Sequence, residues 1–502
     1  AAAPPPRRRA AAATRINVTT SQPRPFAPEN LTAVALDTCL LKQGLNFSDE
    51  RLINFTKALG KGVLRVGGTD QNDYAYDVND SRPVVISNCS EEGVMTGPYW
   101  KSLLEFGRVT GRQILFGLNA GGRDPADPAD DAVSNASALV AWTLDAGHSD
   151  VMWSFGNERN PQNVNESRAL AEAMRDRLQR VRAGVSDTTG APWRGVVVAP
   201  DLGLGPRALG TEPAGLFNDS KVSDALAYLK VFADVAGDDL AAISWHTYDF
   251  RAGELGVAPD DSPLPTPAPE NLSKWWDSDY LEVFDRLADA AEASVGSRDL
   301  WLTEMDSVNH HGIPGLTDAF GNSLWLARRF GAAASRGSAF MARQSLLGFD
   351  YALLGADPEA MCPTPDYYLT RLFRQLVGGT ALPTSSNASL AAYAFCGVEE
   401  GVVVLAMSHD EDAAATLDVT IDGAPPSGPR YDYVLSPDPS TMPRGAPETP
   451  RNLLASGGML LNGQKLTFDA AMGGAAGSDP PALPPLTFGF FHWPDLTCAT
   501  LY

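Results

Sequence analysis

The sequence predicts an α/β fold: a (β/α)8 TIM barrel followed by a C-terminal β-sandwich. Three observations predict it. Eight short apolar runs alternate with amphipathic stretches of helix length between residues 33 and 379. Two of those runs stop at a glutamate rather than at ordinary turn residues. Beyond residue 379 the helical texture ends, and strand-like runs follow one another between Pro, Gly and Asp turns.

In chain order, residues 1–14 read as a disordered tail, since Ala1 to Ala13 are only Ala, Pro and Arg. The tail lacks the apolar centre of a signal peptide, so a mature or trimmed N-terminus is expected. Residues 15–32 hold a strand-like segment, Arg15–Thr20, expected to join the sandwich. The barrel is expected over 33–379. Its predicted strands are Ala33–Leu36, Val63–Val66, Ile114–Leu118, Val151–Phe155, Val196–Ala199, Ala242–His246, Leu300–Thr303 and Ala339–Ser345. The clearest helix between them is Ser167–Ala183, with Leu170, Met174, Leu178 and Val181 at spacings of three and four. Tyr280–Ala293 and Tyr367–Val377 read as helices too. Residues 380–502 supply six predicted strands: Leu390–Cys396, Gly401–Met407, Ala414–Ile421, Tyr431–Leu435, Gly458–Leu461 and Leu486–Trp493. Pro-rich loops fall at 259–270 and 437–450.

Composition narrows the function. The 502 residues carry a formal charge of −22, from 39 Lys+Arg and 61 Asp+Glu. That argues against nucleic acid as a partner. No run of about 18 apolar residues suggests a membrane span. Eleven of the 20 asparagines begin Asn-X-Ser/Thr sequons: Asn17, Asn30, Asn46, Asn54, Asn79, Asn88, Asn135, Asn165, Asn218, Asn271 and Asn387. Chance would give roughly two or three. The expectation is a glycosylated protein that is secreted, or lumenal in a lysosome or vacuole. The five cysteines fit such a compartment, and their odd number leaves one over. A Cys396–Cys498 bridge would close the last segment. Cys39–Cys89 is the next candidate pair, and Cys362 the expected free thiol.

The chemistry is concentrated at the predicted strand ends. Phe155-Gly156-Asn157-Glu158 follows strand four, and Trp301-Leu302-Thr303-Glu304 closes strand seven. Barrel active sites lie at these ends. Two carboxyls facing one cleft are what glycosidic-bond hydrolysis needs. Glu158 is expected as acid/base and Glu304 as nucleophile, with the carboxyls about 5–5.5 Å apart for retention. That chemistry calls for a protonated Glu158 and an ionised Glu304. Asn157 stands where it can bond a sugar hydroxyl. Trp245-His246-Thr247-Tyr248 ends strand six, and Gln344 and Tyr351 follow strand eight. After strand two, Thr69 and Asp70 are expected to face the cleft. Asp306 is a competing acid, but one expected past the strand end. Neighbouring His310 and His311 cannot easily hold one ion together, so no metal and no cofactor is expected.

In this order the segments resemble heparanase and the β-glucuronidases of glycoside hydrolase family 79. The matching stretches are Leu64-Arg65-Val66-Gly67-Gly68-Thr69, Ile114–Ala120, Phe155–Glu158, Trp245–Tyr248, Trp301–Glu304, Arg343-Gln344, Pro365–Tyr368 and Leu376–Gly378. The resemblance implies substrate contacts for Asp37, Thr69, Asn157, His246, Tyr248, Gln344 and Tyr351, with Tyr351 beside a uronate carboxylate. It also implies the Cys396–Cys498 pair. Four departures bear on specificity: Arg159, Met305-Asp306, Leu204, and His310-His311, which stand where heparanase has carboxylate-holding glycines; His310 and His311 are expected to bind substrate, since a histidine can also contact a carboxylate. The short Asp70–Trp100 segment has no excised linker, so a single chain is expected. The leading expectation is a retaining hydrolase of β-glucuronide linkages in glycans or glycoconjugates. The acidity disfavours a long polyanion such as heparan sulfate. Two alternatives are a retaining glycosidase for another sugar, and a weakly active or inactive carbohydrate-binding homologue in an extracellular matrix or glycoprotein assembly.

Overall fold

Strands rich in Val, Ile and Leu, apolar on both faces, must be covered on both sides, and a closed parallel barrel inside a ring of helices does this. A computed structural model of the protein shows that arrangement. It describes residues 13–122, 124–161, 164–204, 220–250, 278–309, 311–387, 390–477 and 480–498. His310, Asn218, Asn271 and the 259–270 loop lie outside the described residues. The eight barrel strands, all parallel, are Ala33–Asp37, Gly62–Gly67, Arg112–Leu118, Met152–Phe155, Val197–Gly203, Ala242–Phe250, Leu300–Val308 and Phe340–Arg343, and they close in sequence order.

The lower lumen is filled by one layer of apolar side chains: Ala33, Val63, Leu115, Met152, Val198, Ala242, Phe340 and Ala342, with Trp301 against them. The next inward positions are polar and fully buried: Arg65, Ser154, Ser244 and Thr303. The barrel is therefore an apolar plug beneath a polar floor. Strand seven runs on to Val308, well past the expected end at Thr303. Its register shifts against both neighbours: His246 pairs with Glu304 directly after Trp245 pairs with Leu302. Such a bulge adds one residue and re-aims the side chains beyond it. Thr303 and Glu304 thus both meet groups of the barrel floor. Asp306 is not past the strand end but inside the strand and buried, 3.3 Å from the Arg343 guanidinium, which also binds Asp366. Burial, opposed by Arg343, pushes its pKa up to about 7.

The helices Ser167–Thr189, Ser278–Val295 and Pro365–Leu376 occupy the expected places. Gly378 and Gly379 follow the last of these helices within a strand, Val377–Leu382. The strands after 380 form two sheets. Four strands run in the order Thr384–Ser386, Ala13–Val18, Ala415–Ile421, Ala482–Leu483, and nine form the larger sheet, with Leu390–Gly397, Val402–Ser408 and Phe488–Trp493 adjacent in it. Ile16, Val18, Leu417 and Val419 from the first sheet share a core with Val404, Phe491 and Trp493 from the second. The N-terminal strand begins at Ala13, two residues inside the segment expected as tail.

The larger sheet also buttresses the barrel. Phe320 stacks on Phe488, and Phe373 meets Phe395 and Phe490. This fixes the helix Phe320–Arg336, which follows the strand carrying Glu304. Disulfides join Cys39 to Cys89 and Cys396 to Cys498, and Cys362 is an exposed free thiol.

Candidate active site

Arg65 is the centre of the site. A guanidinium inside an apolar strand must find partners, because an unpaired buried charge is costly. Its Nη1 donates to Glu304 Oε2, and its Nη2 donates to Asn157 Oδ1 (2.9 Å) and Asp201 Oδ2 (3.2 Å). The same nitrogen lies 3.4 Å from His246 Nε2. The Gly67-Gly68 pair makes room: a Cβ on Gly67 would collide with this guanidinium, and one on Gly68 with the Asp37 carboxylate.

Glu304 and Glu158 reach the site differently. Glu304 is buried, its side chain 9% exposed, and Tyr248 Oη donates to its Oε1 at 2.5 Å. Burial alone would raise its pKa, but the His246 and Arg65 charges and the Tyr248 and Arg65 hydrogen bonds outweigh that and lower it. Glu158 lies past strand four, and its side chain is 42% exposed. Its backbone takes a left-handed φ of 47°, with its N–H donated to the Asp201 carbonyl at 2.8 Å. A non-glycine residue in that region costs energy and is held by its surroundings. A Glu158 oxygen, a His246 ring nitrogen and a Glu304 oxygen all lie within 4.8 Å of one another.

His246 stands between the two acids. Its Nδ1 is 3.2 Å from Glu158 Oε1 and 3.9 Å from Glu304 Oε2, and its Nε2 is 3.4 Å from Asp201 Oδ2. Burial disfavours its charged form, yet Glu304 and Asp201 outweigh burial and raise its pKa to about 9. The triad Glu158, His246 and Glu304 has donor atoms enough for a cation. However, Arg65 already lies against Glu304, so a cation placed there would meet a guanidinium. The positive charge these acids need comes from the chain itself.

Of the other expected residues, Asn157 and Tyr248 join this group through Arg65 and Glu304. Asp37 Oδ2 accepts from Gln344 Nε2 at 3.2 Å, and burial pushes Asp37 up to about 7. Tyr351 stacks on Tyr248, Phe349 meets Tyr351 edge-on, and His311 stacks on Phe349 with centroids 4.4 Å apart. His311 is thus the exposed end of an aromatic row that starts at Glu304. Thr69 is exposed. Asp70 turns away from the expected cleft position to bind the buried Lys42 ammonium at 2.7 Å. Leu204 is buried, and its N–H donates to the His246 carbonyl.

Two residues escaped the sequence reading. Arg65 stood in a quoted motif without a role, though a lone Arg in an apolar strand beside two glycines is a signal. Asp201 follows the strand-five run just as Glu158 follows that of strand four, so the same rule would have found it. It is fully buried, accepting from Thr303 Oγ1 at its Oδ1 and from Ser154 Oγ and Arg65 at its Oδ2.

Residues 36–331 match the model of the glycosyl hydrolase family 79 N-terminal domain. The chain belongs to that family. It is a glycoside hydrolase of the heparanase type. Heparanase-like protein 3 of Arabidopsis thaliana is 24% identical over 400 residues, covering 76% of this chain and 68% of that protein. The hyaluronoglucuronidase of Hirudo nipponia is 22% identical over 516 residues, covering 92% and 94%. Among solved structures, a family 51 arabinofuranosidase from Xanthomonas axonopodis pv. citri superposes with a TM-score of 0.63 at 15% identity over 96% of this chain and 99% of that one. A 4-O-α-L-rhamnosyl-β-D-glucuronidase from Fusarium oxysporum gives 0.57 at 15% over 95% and 100%. These structural likenesses show the fold. No helix of the described residues is long and apolar enough to cross a membrane.

Proposed function

We propose that this family 79 protein hydrolyses β-glucuronide linkages in glycans or glycoconjugates by a retaining double displacement, with Glu304 as nucleophile and Glu158 as acid/base. One observation carries the reading: one oxygen of Glu158 and one of Glu304 lie within 4.8 Å of each other, which fits carboxyl groups about 5–5.5 Å apart, as in retaining enzymes, better than the about 6.5–9.5 Å that admits a water for inversion. The division of labour follows from surroundings. Glu304 is buried, its pKa is lowered, and it is aimed by Arg65 and Tyr248. Glu158 is the more open acid, as suits a group that must meet both the leaving oxygen and the incoming water. In the first step Glu304 bonds the anomeric carbon while Glu158 gives its proton to the departing oxygen. In the second, Glu158 takes a proton from water, whose oxygen bonds the same carbon as Glu304 leaves.

The glucuronide preference is supported by relatives named for glucuronidase activity, among them the leech enzyme and a baicalin-β-D-glucuronidase of Scutellaria baicalensis. We also infer passage through a secretory compartment. The two disulfides support it, as do exposed sequon asparagines such as Asn46, Asn54, Asn79 and Asn88. The test is hydrolysis of an aryl β-D-glucuronide, with NMR of the first-formed anomer. Turnover with net retention, lost in both Glu158→Gln and Glu304→Gln, is expected. Turnover of an aryl xyloside or arabinofuranoside but not the glucuronide would overturn the substrate, and an inverted product would overturn the mechanism.

A further inference from the structure

We propose that Asp201 is a positioning residue for the acid/base, acting on Glu158 through its backbone and through His246. The proposal rests on the roles given above to Glu158 and Glu304. Asp201 touches the Glu158 segment twice. Its carbonyl accepts the Glu158 N–H at 2.8 Å, which holds Glu158 in its left-handed conformation. Its carboxylate Oδ2 lies 3.4 Å from His246 Nε2, and the far side of that ring, Nδ1, lies 3.2 Å from Glu158 Oε1. Asp201, His246 and Glu158 therefore form a closed ring of contacts spanning strands four, five and six.

The carboxylate has no freedom to serve another purpose. Thr303 Oγ1 holds Oδ1 at 2.8 Å, Ser154 Oγ and Arg65 Nη2 hold Oδ2 at 2.8 and 3.2 Å, and its own N–H donates to Ser244 Oγ at 2.9 Å. It is fully buried, so it cannot reach substrate. A buried carboxylate accepting three hydrogen bonds is built to stay charged and still. Two donors, Arg65 Nη2 and His246 Nε2, converge on the same Oδ2, although they lie only 3.4 Å apart. That crowding is favourable if Oδ2 accepts from both, which puts a proton on Nε2; a second proton, on Nδ1, then faces Glu158 Oε1 and Glu304 Oε2. The charged groups facing the ring are Glu158, Asp201, Glu304 and Arg65. With Glu158 carrying its proton, Asp201 and Glu304 are two acids against one guanidinium, which favours the second proton on the ring.

The consequence lies in the catalytic cycle. When Glu158 gives its proton to the leaving oxygen, the carboxylate formed is met by His246 Nδ1–H. That hydrogen bond holds it in place until it takes a proton from water. No proton leaves the ring in either step. The competing reading is a neutral ring whose bare Nε2 accepts from Arg65, with Asp201 acting only as packing.

The experiment is 15N NMR of the full chain labelled at histidine, with His246→Gln assigning one of the six histidines. Both ring nitrogens should be protonated in the wild type at pH 7. In Asp201→Asn the His246 midpoint should fall by a unit or more. Turnover of an aryl β-glucuronide should fall by up to about 100-fold, the order of loss when a reacting group is misplaced. A neutral His246 in the wild type, or an unmoved midpoint in Asp201→Asn, overturns the proposal. The wild-type spectrum decides even if the variant does not fold. The titration needs no substrate. A wild type with the expected spectrum that leaves aryl glucuronides uncut would overturn the function proposed above and support this assignment.

Discussion

Replacing Tyr248 by Phe removes one oxygen and tests how Glu304 is kept ionised. The hydroxyl donates to Glu304 Oε1 at 2.5 Å; Glu304 is buried and Tyr248 half-buried. A hydrogen bond to a charged group contributes about 1.5–3 kcal/mol. Here nearly all of it favours the ionised carboxylate, since protonation removes the charge that the hydroxyl binds. One pH unit corresponds to about 1.4 kcal/mol, so the acidic limb of kcat/KM should move up by about one to two units. His246 and Arg65 still lower the Glu304 pKa in the variant, so activity near neutrality survives in part. The ring should remain stacked on Tyr351, at 6.5 Å between centroids, so folding changes little. The assay is kcat/KM for an aryl β-glucuronide from pH 3 to about 9, the chosen range bracketing ordinary carboxylates and imidazole. An acidic limb that stays in place, with activity lost uniformly at all pH values, would refute the reasoning. It would mean that Tyr248 binds the sugar instead of tuning the acid.

Arg65→Met should be more damaging, because it leaves Glu304 and Asp201 buried without their shared cation. A loss of about 3–5 kcal/mol in a urea titration is expected, with hydrolysis abolished. Stability should also fall as pH rises through the His246 range. Its folded pKa, about 9, is raised above the ordinary value. Its contribution is therefore full below about pH 6.5 and lost as pH climbs toward 9. Urea midpoints at three pH values should show that slope in the wild type and a flatter one in His246→Gln. Sequon use should be uneven if the secretory reading holds. Asn30 Nδ2 donates to the Ala339 carbonyl and Asn135 Nδ2 to the Asp131 carbonyl. Glycopeptide mapping should find these two empty, and exposed Asn46, Asn54 and Asn79 occupied.

The barrel was legible because its signal is local. Apolar runs such as Ile114–Leu118 and the three-and-four spacing of Leu170, Met174, Leu178 and Val181 each declare an element without reference to the rest of the chain. Glu158 and Glu304 stood out for the same reason, as acids closing apolar runs. Asp70 misled because the Gly67-Gly68 turn shows where a chain bends but not which way the next side chain turns. Only the fold brings Lys42 close enough to claim it. Asp306 misled because a strand's end depends on its neighbours' hydrogen bonds, and here they continue to Val308.

The sequence by itself determined the architecture, the family and the two acids, all written in periodicity and in short ordered motifs. The tertiary structure alone decided which groups surround and aim those acids. That outcome depends on Arg65, Asp201 and His246, drawn from three different strands, meeting within hydrogen-bonding distance. It depends also on a bulge in strand seven that brings Glu304 to the barrel floor. Charge and hydrogen bonding act over a few ångströms in space, and residues 136 positions apart in the chain, such as Arg65 and Asp201, carry no local mark of being neighbours.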